Sequence, residues 1–488
     1  MQAVTTAPGR ERLVLVVACL AQFMVVLDVS IENVALPAMR EALGFSAVGL
    51  QWVVSAYTLA FAGFLLLGGR AADLFGRRRM FLVGLALFGA ASLVGGLADS
   101  PGLVLAARAA QGLGGAVLSP ATLTILTTTF AEGAARSRAL GAWAAIGGVG
   151  GAVGGIAGGV LVHFLSWRWI FLVNVPVVLL TAALAVLAIT ETRAENRPRL
   201  DTGGALLVTG GLVSFVHGVV SSETAGWGSP LTWGSFVLAV VLLAGFGLLE
   251  TRISSPLVPL GIFRVRTVSV ANATMALISS AMFAMWYFVS LHMQNVLGFD
   301  ALTAGLAFLP QSGAIVVGSQ LSSRLLGRVG TRPLLVGGAF LTAAGFAWFS
   351  LLTPTSTWVG GVLGPGVAVG LGMGIALTPL AGAATSGLAR SQAGLASGLL
   401  NTSRQVGGAI GLSVLSTLAT ARAASFTAQG STAAAASTAG TTRAFAVAAV
   451  VVTLAGLVAS LLPRTPPTPA APVAEDVDEP VTGSSAAR

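Results

Sequence analysis

The sequence predicts an all-α membrane protein with fourteen transmembrane helices. Of its 488 residues, 55% are hydrophobic and only 9% are charged, and the mean hydropathy is +0.88. Apolar stretches of about 20 residues recur along the chain, the length that crosses a hydrocarbon core ~30 Å thick. Glycine accounts for 63 residues, about twice its usual ~7% share, as expected where helices in lipid approach closely. These properties exclude a soluble globular chain.

The first apolar stretch follows Arg10 and Arg12, an arrangement that also begins signal peptides. This stretch is long enough to span the membrane and lacks a small-residue cleavage site, so we interpret it as a retained first helix. By the same length criterion, the fourteen spans in chain order are at about 13–36, 50–69, 80–98, 102–128, 138–162, 168–190, 203–220, 230–249, 267–291, 301–323, 333–352, 357–381, 396–418 and 444–463.

The arginines predict the orientation of these helices. With the N-terminus inside the cell, most arginines fall in the cytoplasmic loops, as the positive-inside rule requires. The exceptions on the outer side are Arg40, Arg168, Arg422 and Arg443. The sequence therefore predicts a multi-pass protein of the bacterial cytoplasmic membrane with both termini in the cytoplasm. The absence of lysine is typical of a GC-rich bacterial genome.

Two segments are predicted to lie outside the membrane. Residues 420–443, rich in alanine, serine and threonine, would form the longest external loop. Residues 464–488 combine prolines with acidic residues and are expected to be a disordered cytoplasmic tail.

Several functional classes are disfavoured by composition. Without lysine the chain has neither a phosphate-binding P-loop nor a Schiff-base amine. The net charge of +9 is dispersed between apolar runs, so no nucleic-acid partner is expected. The histidines are too far apart for a local metal motif, there is no G-x-S-x-G, and Cys19 permits no internal disulfide: we expect no enzyme, cofactor or metal site.

Four charged residues remain inside predicted helices: Asp28, Glu32, Arg108 and Arg404. Because a charge at the bilayer centre costs ~2.5–3.5 kcal/mol or more, such residues are functional candidates. Asp28 and Glu32 are four residues apart and share a face of helix 1. At ~1.5 Å per residue they lie about 13 Å and 8 Å from the outer end, and Arg108 lies about 9 Å deep in helix 4. Two carboxylates beside one guanidinium suit a proton-coupled carrier.

Other interpretations of these charges stay open. The acids and Arg108 could form a purely structural ion pair, or Glu32 could face water at the mouth of a cavity. Arg404 could bind an anionic group, cap backbone carbonyls or pair transiently with a carboxylate.

The fifth helix carries two adjacent glycine stripes. Spacing of four residues leaves each stripe without side chains, so a neighbouring helix can approach almost to backbone contact. The stripes predict either a gating role or generic small-residue packing, and the candidate gating residues are Gly150, Gly154, Gly155, Gly158 and Gly159.

Several segments resemble signatures of the fourteen-helix bacterial drug:proton antiporters of the major facilitator superfamily. GRAADLFGRR at 69–78 is similar to the loop signature G-x-L-A-D-R-x-G-R-R, and LDVSIENVALP at 27–37 to the helix 1 signature. LAARAAQG at 105–112 resembles the helix 4 signature, GGIAGG at 154–159 that of helix 5, and NTSRQVGG at 401–408 is also like this group. The chain departs at Glu32, where the family has an apolar residue, and at Gly155, where it has proline.

The resemblance implies two six-helix bundles at 13–190 and 267–463, joined by a linker at 191–266 that carries two additional helices, with residues 1–12 as a cytoplasmic N-terminus. It implies rocking between inward-open and outward-open states. Asp28, Glu32, Arg108 and Gln111 would couple protons. A conformational latch would contain Gly69, Asp73, Gly76, Arg77 and Arg78, although these arginines could also serve topology alone.

The implied function is proton-driven export of lipophilic, including cationic, drugs or antibiotics by a monomer in contact with membrane lipid. Export of an endogenous metabolite, or a transport-inactive sensor or scaffold, are the alternatives. The expected cavity residues are Asn33, Trp52, Tyr57, Trp143, Phe283, Trp286, Tyr287, Gln320, Asn401 and Arg404. For Trp286 and Tyr287 a place in the interfacial aromatic belt is an equal expectation.

Overall fold

The computed structural model describes residues 8–463 apart from 131–133, 192–199, 255, 387 and 389–392. Within these ranges the regular elements are a 3₁₀-helix (Leu260–Arg264), a π-helix (Trp358–Leu363) and the α-helices. In chain order the α-helices are α1 (Pro8–Leu43), α2 (Ala47–Phe75), α3 (Arg77–Leu97), α4 (Pro101–Thr129), α5 (Ala134–Phe164), α6 (Trp169–Leu172), α7 (Asn174–Ala188), α8 (Thr202–Thr224), α9 (Pro230–Arg252), α10 (Arg266–Asn295), α11 (Ala301–Ala307), α12 (Leu309–Val329), α13 (Thr331–Phe349), α14 (Gly364–Thr385), α15 (Ala393–Ala428) and α16 (Ala433–Ala459).

The predicted fourteen segments correspond to these helices. Thirteen spans of the described residues are long and apolar enough to cross a membrane, counting α6 with α7 and α11 with α12 as single spans. The remaining predicted span corresponds to the 31-residue helix α5, in which Val153–Phe164 is a shorter apolar segment. The span formed by α11 and α12 is interrupted at Phe308. A proline follows in the first turn of α12, and its missing N–H removes a hydrogen bond that would continue the helix.

Local sequence explains several helix boundaries. The side chains of Ser46 and Asp201 accept hydrogen bonds from backbone N–H groups in the first turns of α2 and α8. Gly76 separates α2 from α3 with φ +109°, and Gly330 separates α12 from α13 with φ +85°. Positive φ is accessible to glycine at little cost, which explains these residues at corresponding turns of the two halves.

The prediction of an external loop at 420–443 was wrong. Helix α15 continues to Ala428 and α16 begins at Ala433, so only a short turn around Gly430 interrupts the helices. Threonine hydroxyls in this region bond to the carbonyl four residues earlier, as Thr427 does with Ala423. Low hydropathy therefore marked helix ends that extend beyond the apolar span. The predicted tail at 464–488 lies outside the described residues.

The helices form two groups that match the expected six-helix bundles. In the first, α2 and α3 pack on α4, while α1 packs on α5 and α7. In the second, α12 and α13 pack on α14, while α10 packs on α15 and α16. Helices α8 and α9 pack on each other, and α8 contacts α2 and α15. The groups meet where α1 contacts α10, α2 contacts α15 and α5 contacts α11, so a site at their centre is built from both halves.

Candidate functional site

Asp28, Glu32, Arg108 and Gln111 form one buried cluster between α1 and α4. Arg108 is 1% exposed, and its Nη1 donates to Asp28 Oδ2 at 2.6 Å and to Gln111 Oε1 at 3.0 Å. Its Nη2 forms an ion pair with Glu32 Oε2. Arg108 Nε donates to the carbonyl of Val53 in α2 at 3.1 Å. The structure thus brings together the two acids and the arginine that the helix depths placed at one level.

Asn174 and Ser92 also belong to this cluster, although the sequence did not predict them. Asn174 of α7 donates from Nδ2 to Asp28 Oδ1 at 2.8 Å. Gln111 Nε2 donates to the same oxygen at 3.0 Å and to Ser92 Oγ of α3 at 2.8 Å. Asn174 could have been found as an amide within an apolar helix, because such groups need a partner in lipid.

The two acids have different surroundings. Asp28 receives hydrogen bonds from Arg108, Gln111 and Asn174. Glu32 is 1% exposed, and among the described residues it is held only by its ion pair with Arg108. Among the described residues, Asp28 therefore has three side-chain hydrogen-bond donors, whereas Glu32 has the Arg108 guanidinium alone.

A cavity of about 300 Å³ lies beside the cluster, between the two helix groups. Tyr57 connects them: its side chain lines the cavity, and the Arg108 guanidinium carbon lies 4.5 Å from the centre of its ring. Five predicted residues line the cavity: Asn33, Tyr57, Phe283, Trp286 and Arg404. Arg404 Nε donates to Asn401 Oδ1 at 3.1 Å, which places the predicted Asn401 next to the wall.

Four predicted cavity residues lie elsewhere. Trp52 packs with the apolar residues between α2 and α8, and Trp143 packs against α1 and α4. Tyr287 is buried edge-on against Phe288, and Gln320 is exposed on α12. Residue type alone did not reveal the direction that each side chain takes. The wall instead contains several residues without a distinctive sequence signal: Val25, Val29, Ser279, Met282, Ser312, Met373 and Gln405.

The glycines of α5 face two different helices. A Cβ on Gly150, Gly154 or Gly158 would meet α1. A Cβ on Gly155 would lie 3.4 Å from the carbonyl oxygen of Gly305 in α11, and one on Gly159 would lie 2.7 Å from that of Ala301. One stripe therefore packs α5 against α1 within its own half, and the other packs α5 against α11 of the opposite half.

Polar contacts join the two helix groups near the C-terminal end of α1. Ser290 Oγ of α10 donates to the carbonyl of Asn33 at 2.7 Å, and Gln294 Nε2 donates to that of Val34 at 3.2 Å. Between α5 and α11, His163 Nδ1 lies 2.8 Å from Asp300 Oδ2. These contacts lie toward the C-terminal end of α1, which the predicted topology places outside.

The predicted latch lies at the C-terminal end of α2, where the chain turns into α3. Asp73 Oδ1 is 3.5 Å from Arg77 Nη2, a distance that gives a weak ion pair. Gly69 packs against Pro120 of α4, with 3.4 Å to a Cβ built on the glycine. Gly76 forms the positive-φ turn before α3.

The carboxylate that caps α3 is Glu191 rather than Asp73. Its two oxygens accept hydrogen bonds from the backbone N–H groups of Arg78 at 3.2 Å and Arg79 at 3.0 Å. Arg78 also donates from Nη2 to the carbonyl of Val186 at 3.0 Å. Glu191 reaches the start of this helix from a position more than a hundred residues later in the chain, while Asp73 contacts Arg77, the first residue of the helix.

Comparison with known proteins gives consistent matches over most of the chain. The family model described as Major Facilitator Superfamily matches residues 18–412. The cephamycin export protein CmcT of Amycolatopsis lactamdurans is 48% identical, covering 83% of this chain and 84% of that protein. The puromycin resistance protein pur8 of Streptomyces alboniger is 40% identical, covering 85% and 83%.

Solved structures show the same fold at low sequence identity. The crystal structure of a bacterial homolog of the human lysosomal transporter Spinster, in an inward-facing and occupied conformation, superposes with a TM-score of 0.67. Its sequence is 14% identical, and the match covers 93% of this chain and 97% of that one.

Proposed function

Because the chain belongs to the major facilitator superfamily, we propose that it exports a lipophilic drug or antibiotic in exchange for protons. The cargo would bind in the cavity between the two helix groups, and the groups would rock to expose it to either side of the membrane. The relatives named for cephamycin export and puromycin resistance support this cargo class.

The observation that carries the proposal is the adjacency of the acidic cluster and the cavity. Arg108 holds both Asp28 and Glu32 and lies over the ring of Tyr57, which lines the cavity. Cargo in the cavity would displace Tyr57 or fix it, and either change would act on Arg108 directly. A proton taken up by Glu32 would release that carboxylate from Arg108. Cargo binding and protonation of Glu32 would therefore both change the contacts of Arg108, which couples the two events.

The proposed cycle uses the contacts between the two helix groups at the outer end. In the described state α1 contacts α10 and α5 contacts α11. Cargo would enter from the cytoplasm while these contacts hold. Separation of these contacts would open the cavity to the outside, where cargo leaves and a proton enters. Each 100 mV of membrane potential supplies ~2.3 kcal/mol per charge, which supports a cargo gradient of about 50-fold with one proton.

We place this multi-pass protein in the bacterial cytoplasmic membrane with both termini in the cytoplasm, acting as a monomer. The arginine distribution supports that orientation.

The test is transport into everted membrane vesicles with an acidic interior, using puromycin, a cephamycin and a panel of dyes. We expect uptake that a protonophore abolishes and that Asp28→Asn removes, although the variant remains folded in the membrane. Uptake of one compound alone would indicate a dedicated exporter. Absence of gradient-driven uptake for every compound would contradict the proposal and favour a transport-inactive sensor or scaffold.

A further inference from the structure

Arg404 is the one charged side chain among the described residues that line the cavity. Its side chain is open to this space rather than packed into the wall. Its Nε donates to Asn401 Oδ1 at 3.1 Å, and among the described residues no carboxylate lies within ion-pair distance of it. The terminal nitrogens of this guanidinium are therefore available to a ligand.

The acids of the neighbouring cluster do not offset this charge at the cavity wall. Asp28 and Glu32 are 2% and 1% exposed, and both are paired with Arg108. Tyr57, whose ring lies beneath Arg108, stands between that cluster and the cavity. A cation in the cavity would meet Arg404 without a free counter-charge, whereas an anion would find a partner. Desolvated charges require such pairing.

On the basis of the proposed export function, we infer that the cargo is an organic anion whose carboxylate or comparable oxyanion binds Arg404. A planar guanidinium binds such groups through two parallel hydrogen bonds. This inference differs from the cationic cargo that the sequence suggested. It deepens the proposed function by naming the charge of the cargo.

The remainder of the cavity fits the lipophilic body of such a compound. Phe283, Trp286, Met282 and Met373 provide an apolar and aromatic wall, and Trp286 is fixed by Phe308 with ring centres 4.7 Å apart. Gln405, beside Arg404 in sequence, adds an amide to the same wall. The volume of about 300 Å³ is at the small end of the range for drug-sized ligands.

Export of an anion also determines the charge moved in each cycle. A monovalent anion leaving while one proton enters transfers two positive charges inward, so the membrane potential contributes twice. A neutral cargo transfers one charge, and a monovalent cation exchanged for one proton transfers none. Transport of the anion should therefore respond to membrane potential even when the pH gradient is zero.

Binding to the purified full-length protein tests the inference without requiring transport. The probes share one scaffold: 1-pyrenebutyrate, the neutral 1-pyrenebutanol and the cationic 4-(1-pyrenyl)butyltrimethylammonium. We expect the wild type to bind the carboxylate at least tenfold more tightly than the cation. The Arg404→Gln variant should bind the carboxylate about tenfold or more weakly than the wild type and should bind the alcohol with unchanged affinity. Arg404→Lys should recover part of the lost affinity for the carboxylate.

Arg422→Gln is the matched control, because Arg422 lies on the same helix, is exposed and does not line the cavity. It should leave all three affinities unchanged. Equal binding of anion and cation by the wild type, or an unchanged preference in Arg404→Gln, would overturn the inference. If Arg404→Gln does not fold, the wild-type preference among the three probes decides alone.

Flux in proteoliposomes separates this inference from the proposed function. If pyrenebutyrate binds through Arg404 but shows no flux driven by the membrane potential or by protons, the anion site is supported and the proposed export is refuted. Driven flux of the cation that Arg404→Gln does not change would support export and refute the anion site.

Discussion

Asn174 Nδ2 donates a hydrogen bond of 2.8 Å to Asp28 Oδ1 and thereby joins α7 to α1 at the centre of the proton-coupling candidates. With Arg108 and Gln111 of α4, three helices converge on one buried carboxylate. A shift of any of these helices would change the partners of Asp28. The carboxylate is thus placed to sense the arrangement of the N-terminal bundle.

Replacing Asn174 with leucine should weaken transport. A hydrogen bond to a charged group contributes ~1.5–3 kcal/mol, so we expect the rate of driven cargo efflux to fall roughly tenfold or more. The control is Thr181→Val on the same helix, because the Thr181 hydroxyl is buried without a hydrogen-bond partner among the described residues. Similar loss in both variants would mean that Asn174 acts only through helix packing.

Glu32→Gln should abolish proton countertransport and reduce efflux of anionic, neutral and cationic cargo to the same extent. Glu32 is paired with Arg108 and does not line the cavity, so the structure gives it no direct contact with cargo. The measurement combines cargo flux with a pH-sensitive dye inside the vesicles. Selective loss of cationic cargo with normal proton movement would contradict this role and indicate that Glu32 contacts the cargo instead.

Gly159→Ala should open the outer end of the cavity. The added Cβ would lie 2.7 Å from the carbonyl oxygen of Ala301 and would push α5 away from α11. The readout is labelling of Val29→Cys, a cavity position, by an external membrane-impermeant maleimide in a Cys19→Ser background; we expect several-fold faster labelling.

Gly141→Ala is the control for this experiment, because a Cβ there meets no atom within 4 Å. Unchanged labelling in Gly159→Ala would show that the close approach of Gly159 to Ala301 does not limit opening.

Gly158→Ala crowds the Ile31 carbonyl instead. It should lower the stability of the N-terminal bundle by about 1–3 kcal/mol through overpacking.

The Asp300 carboxylate should keep its contact with His163 down to mildly acidic pH. Hydrogen bonds from the Thr303 side chain and backbone, with a smaller contribution from His163, hold the pKa of Asp300 below its ordinary value. Asp300 therefore stays ionised at neutral pH, and its contribution is lost only as the pH falls through that lowered pKa.

Asp300→Asn keeps an acceptor for the Thr303 backbone N–H but removes the charge. We expect external labelling of Val29→Cys to become at most a few-fold faster in this variant at neutral pH, since exposed ion pairs are weak. Equal labelling with and without Asp300→Asn would show that the contact between His163 and Asp300 does not limit opening.

Glu191→Ala should destabilise the start of α3. The carboxylate accepts two backbone N–H groups there, and loss of such a cap costs ~1 kcal/mol. We expect a lower unfolding temperature of the detergent-solubilised protein, together with slower transport. Glu41→Ala, an exposed acid in the last turn of α1, is the control. Equal stability of the two variants would exclude a capping role.

The sequence predicted the number of spans and the residues of the charged cluster because both depend on local properties. An apolar length of about 20 residues suffices to cross the bilayer, and Asp28, Glu32 and Arg108 stand out through the cost of inserting them. Their common depth followed from counting residues along each helix. The polar region at 420–443 misled this reasoning, because low hydropathy does not distinguish a loop from a helix that extends past the lipid.

The facing of each helix required the tertiary structure. Rotation about the helix axis decides that Trp286 lines the cavity while Trp52 packs toward α8, and a sequence with apolar residues on every side carries no signal for that rotation. The same holds for the partners Asn174 and Glu191, which reach their sites from distant segments. The amino-acid sequence alone determined a membrane carrier with buried charges. The packing of the helices decided that Arg108 pairs with Asp28 and Glu32 and that Arg404 faces the cavity. The physical reason is that a charged side chain interacts most strongly with the groups nearest to it in space, which the sequence does not specify.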